Sequence, residues 1–138
     1  MELEDLEDMI YDENINLIDS YLEQTSGAYI HYNDINVIMY DPSKIQSSNK
    51  MKEVFAEELG HYFCDATYKF NSDPAFISKQ EYRAKKWSFY TLIPYNCLKS
   101  AIHNGIFSLY NLADYFNVTC EYMHNAVIFY TEKYGTIY

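Results

Sequence analysis

The sequence predicts an α+β domain, mostly helical, with a small antiparallel sheet packed beside one central helix. Three observations carry that prediction. Apolar residues recur at helical spacing over most of the 138 residues. Only one region, residues 27–40, has the β-branched and aromatic alternation of strands, with Asn33-Asp34 as its turn. Half the residues are apolar, and sixteen are tyrosine, enough to fold a single core over residues 1–138.

Taken in order, residues 2–24 read as an acidic helical segment extending to about residue 25. Leu3, Leu6, Ile10, Leu17 and Tyr21 repeat at near-heptad spacing, with Ile18 and Leu22 widening the stripe, and Asp12-Glu13-Asn14 breaks it into two helices. Gly27 opens the sheet, whose strands are Ala28–Tyr32 and Ile35–Tyr40. Asp41-Pro42-Ser43-Lys44 is a turn, and Ser47-Ser48-Asn49 caps a helix over roughly 49–66. Residues 68–78, with Asp73-Pro74, read as a loop. A second long helix follows over 81–94 and stops at Pro94. Residues 96–104 form a short helix. Two more helices lie within 106–134, one capped by Ser108 and running to Phe116, the other capped by Thr119 and running to about Lys133.

The central helix carries the chemistry. Val54-Phe55-Ala56-Glu57-Glu58-Leu59-Gly60-His61-Tyr62-Phe63 has the form of the His-Glu-x-x-His pattern of zinc peptidases, with Glu57 where the first histidine stands. Residues four apart on a helix are neighbours, so Glu57 and His61 can close on one ion, a carboxylate oxygen serving as ligand in place of an imidazole nitrogen. Glu58 lies about 100° further round the helix, within reach of a metal-bound water, and is the candidate general base. Asp65, one turn beyond His61, is an alternative ligand or the partner that orients the imidazole. On the 81–94 helix, Glu81 shares a face with Ala84 and Ser88. These small residues let the two helices approach closely enough for Glu81 to reach the same ion.

An Ala-Glu-Glu-Leu-Gly-His-Tyr helix, then Glu-x-x-Ala-x-x-aromatic and a Leu-Ile-Pro end, resembles the ImmA/IrrE family of metallopeptidases over about residues 28–130. The resemblance implies a zincin-like domain in which His61 and Glu81 are metal ligands and Glu58 is the base. Glu57 falls at the family's first histidine. It also implies a zinc ion, bound weakly, because two carboxylates and one imidazole make a harder site that discriminates less well for Zn²⁺ over Mn²⁺ or another divalent ion. The implied target is a regulatory protein, typically a helix-turn-helix repressor of a mobile element or stress operon. Two activities follow as expectations: metal-dependent endopeptidase action on that regulator, or a pseudo-peptidase that binds it without cutting.

Charge narrows the partner. The net charge is −10, and residues 1–43 hold eleven acids and no Lys or Arg. Such a surface repels phosphate backbones. The 106–134 helices resemble a helix-turn-helix but contain only Lys133 as a base, so they read as packing helices rather than as a direct DNA reader. No apolar run approaches the ~20 residues of a membrane span, and no signal sequence is visible, so a cytoplasmic location is expected. Cys64, Cys97 and Cys120, odd in number and widely spaced, read as reduced thiols. His103 and His124 read as ordinary structural or surface histidines.

Overall fold

The computed structural model describes residues 1–137; Tyr138, the last residue of the expected domain, lies outside them. The elements run α1 (Leu3–Asp12), β1 (Asn16–Asp19), β2 (Gly27–Tyr32), β3 (Ile35–Tyr40), α2 (Ser48–Phe63), α3 (Pro74–Leu92), α4 (Tyr95–His103), α5 (Leu109–Phe116) and α6 (Cys120–Tyr134). The class is α+β, as the sequence predicts.

Three expectations are corrected. The acidic N-terminal segment is helical only as far as Asp12. Asn14 takes a left-handed conformation at φ 59, which stops α1, and the chain then runs extended. Residues 16–19 form a strand parallel to β3, in the order β1-β3-β2, so the sheet is mixed rather than antiparallel. Leu17 and Ile18, members of the predicted helical stripe, are 37% and 45% exposed, so apolar burial does not decide this segment. Backbone pairing does. Beyond the ladder, the Ser20 amide donates to Tyr40 and the Leu22 amide to the Asp41 carboxylate, fastening the rest of the segment. The expected loop over 68–78 is also shorter. Asp73 accepts from the Ala75 amide and Pro74 occupies the first turn, so this pair starts α3 rather than interrupting the chain.

The remaining helix starts follow their caps. Ser47 accepts from the Lys50 amide, Ser108 from Asn111 and Thr119 from Tyr122. α2 is the central element, buried on nearly every side: Val54, Phe55, Ala56 and Leu59 enter the core with Leu6, Ile38, Phe89, Leu98, Met123 and Tyr130. Two buried charges at its start are anchors. The Lys52 ammonium donates to the Met1 and Phe116 carbonyls, and the Glu53 carboxylate accepts from the Thr119 amide and hydroxyl. Together they pin the chain's beginning and the α5–α6 junction to α2. The Tyr130 hydroxyl donates to the Ile93 carbonyl at 2.7 Å, closing the end of α3.

Position is set most sharply where α2 meets α3. A Cβ on Gly60 would lie 2.4 Å from the Ala84 carbonyl oxygen, so only glycine permits this approach. No helix among the described residues is long and apolar enough to cross a membrane.

Candidate active-site groove

The close approach at Gly60 brings two i, i+4 pairs face to face. Glu57 and His61 stand one turn apart on α2; Lys85 and Glu81 stand one turn apart on α3. The helices run antiparallel, so His61 meets Glu81 and Glu57 meets Lys85. His61 Nε2 lies 3.3 Å from Glu81 Oε2, and Lys85 Nζ donates to Glu57 Oε1 at 2.6 Å.

The His61 imidazole is held from both sides. Its Nδ1 faces the Ala66 carbonyl at 2.6 Å, and the Tyr68 hydroxyl donates to Glu81 Oε1 at 2.5 Å, fixing the carboxylate that His61 contacts. Burial opposes a charge on the ring. The Glu81 and Ala66 hydrogen bonds and the nearby Glu58 outweigh it, and the pKa rises to about 9. The Glu81 carboxyl is lowered correspondingly, chiefly by His61. Glu58 is 8% exposed, and desolvation raises it to about 8. The strand β2 starts directly above it: a Cβ on Gly27 would lie 3.1 Å from Glu58 Oε2 and 2.6 Å from Val54 Cγ1.

These groups line one cavity of about 890 Å³, walled by residues 25–31, by the α2 and α3 rungs and by residues 66–69. β2 is an outer strand of the sheet. Residues of both parities along it line the cavity, so its unpaired backbone edge, rather than one face, borders the groove.

Of the predicted site residues, His61 and Glu81 meet, Glu58 lies beside them, and Glu57 is turned to Lys85. Asp65 is exposed at φ 49, just past the end of α2, and the imidazole-orienting part expected of it belongs to the Ala66 carbonyl. Lys85, Tyr68, Ala66 and Gly27 are not legible as site residues in the sequence. Lys85 alone had a signal, its place four residues after Glu81.

The family model described as the IrrE N-terminal-like domain matches residues 11–127. The chain belongs to that family. Neither a curated protein nor a solved structure matches it significantly. The IrrE N-terminal-like domain is a metallopeptidase-type domain, which suggests a metal-dependent, protease-like function and implies a divalent ion, commonly zinc.

The donor set of this member does not fit such an ion as it stands. Among the described residues no three His, Cys, Asp or Glu side chains converge to hold one. His61 and Glu81 supply two donors, and the third, Glu57, is bonded to an ammonium group. Cys64 ends α2 as a partly buried free thiol outside the groove lining.

Proposed function

We propose that this IrrE N-terminal-like domain is a pseudo-peptidase: it binds an extended segment of a regulatory protein in the groove beside β2 and does not cut it. The observation that carries the reading is the groove itself, an 890 Å³ channel with a free strand edge along one wall. An added strand would gain backbone hydrogen bonds from that edge, and its alternate side chains would enter the cavity. The partner is a helix-turn-helix repressor of a mobile element or stress operon, the class implied by the family resemblance, met in the cytoplasm. The eleven acids in residues 1–43 favour protein over DNA.

Metal-dependent cleavage, with Glu57, His61 and Glu81 as ligands and Glu58 as base, is the second reading. The 3.3 Å meeting of His61 and Glu81 favours it. Purified chain should capture a candidate helix-turn-helix repressor and leave it whole after prolonged incubation with Zn²⁺ or Mn²⁺. Repressor fragments would establish the second reading. Tight, salt-sensitive shift of operator DNA by this chain alone would overturn both.

A further inference from the structure

The two rungs between α2 and α3 differ in kind. The His61–Glu81 rung joins two groups that could share a metal ion. The Glu57–Lys85 rung joins a would-be ligand to a cation that the protein supplies itself. We propose that the Lys85 ammonium is a resident cation in this centre, taking over the neutralisation of Glu57 and closing the site to divalent metal. The inference rests on the pseudo-peptidase reading of the same groove.

The geometry leaves little room for both cations. A zinc ligand oxygen sits about 2.0–2.2 Å from the ion. An ammonium already 2.6 Å from Glu57 Oε1 would therefore crowd any ion bound to that carboxylate. The pair is only 34% and 27% exposed, so water screens the repulsion incompletely. A charged lysine has three donors and no lone pair, so it cannot join the coordination shell instead.

Neighbouring ring faces also favour the Lys85 ammonium where it lies. It is 5.4 Å from the centre of the Tyr122 ring and 6.0 Å from that of Phe89. The Lys85 backbone carbonyl accepts from the Ser88 hydroxyl, which in turn accepts from Tyr122, so the turn of α3 that carries it is tied to α6.

The test is calorimetric titration with ZnCl₂ and MnCl₂, elemental analysis after dialysis, and thermal melts with Zn²⁺ or EDTA. The chain is compared with its Lys85→Met, Lys85→Gln and Lys85→Arg variants. Lys85→Met keeps the apolar stem without the charge. Lys85→Gln keeps a hydrogen-bond donor for Glu57 and serves if the Met variant does not fold. The parent and Lys85→Arg should take up no stoichiometric metal and melt alike with Zn²⁺ or EDTA. The uncharged variants should each bind one zinc per chain at least about tenfold more tightly than the parent. Their melting temperature should rise with zinc, and adding His61→Ala should remove the gain. Zinc binding by the parent as tight as by Lys85→Met overturns the proposal, and so do folded uncharged variants that remain indifferent to metal. Zinc uptake reports on the centre and repressor capture on the groove, so either reading can fail alone.

Discussion

Replacing Gly60 with alanine tests how the two site helices are held together. The new Cβ would meet the Ala84 carbonyl oxygen at 2.4 Å and two further Ala84 backbone atoms at 3.0 Å. Ordinary contact begins near 3.4 Å, so α3 must withdraw by about 1 Å locally. The obstacle is backbone, so no rotamer change relieves it, and the cost falls near the upper end of overpacking, about 3 kcal/mol. Alanine regains about 1 kcal/mol of helix propensity over glycine. The net expectation is a loss of about 2 kcal/mol, or roughly 6–10 °C in melting temperature for a chain of this size. The same withdrawal stretches the 3.3 Å His61–Glu81 contact beyond ion-pair range, so the His61 pKa should fall from about 9 toward 6.5. Urea unfolding gives the first quantity and NMR titration of the imidazole the second. A Gly60→Ala protein as stable as the parent, or more stable as an open helical glycine would make it, would refute the reasoning.

Three further outcomes follow from the buried polar groups. Glu58 and His61 both have folded pKa values above their unfolded ones, about 8 against 4.5 and about 9 against 6.5. Their contributions are therefore full at low pH, and stability should decline between about pH 5 and 9, by on the order of a few kcal/mol. Glu58→Gln should flatten the lower part of that decline in melts across the range, and an unchanged profile would count against the burial argument. Glu53→Ala should cost about 2–3 kcal/mol in urea unfolding, because it leaves the Thr119 amide without its carboxylate and frees the start of α6. Tyr122→Phe should cost about 1 kcal/mol by removing the hydroxyl that donates to Ser88 at 2.7 Å. A neutral result there would mean that Ser88 finds another donor.

Local signals in the sequence determined α2 and the helices after it, except for the start of α3, where Asp73-Pro74 reads as a loop but caps the helix. The capping residues Ser47, Ser108 and Thr119 and the stop at Pro94 act over one turn, and the structure uses each of them. The helical period also sufficed to put Glu57 with His61, and Glu81 with Ala84 and Ser88, because a face depends only on spacing within one helix. Family membership was legible from the same two stretches.

The tertiary structure decided what spacing leaves open. Residues 16–19 carry apolar side chains that satisfy a helical stripe, yet those side chains stay exposed and the backbone is claimed by β3, some twenty residues on. Pairing between distant segments has no local signature, so a propensity reading turns toward helix. The partner of Glu57 was decided in the same way. Its place on α2 is local, but whether it meets an ion or Lys85, 28 residues away, depends on the antiparallel register of two helices. That register is set by backbone touching backbone at Gly60 and Ala84, and only the packed structure brings those atoms together.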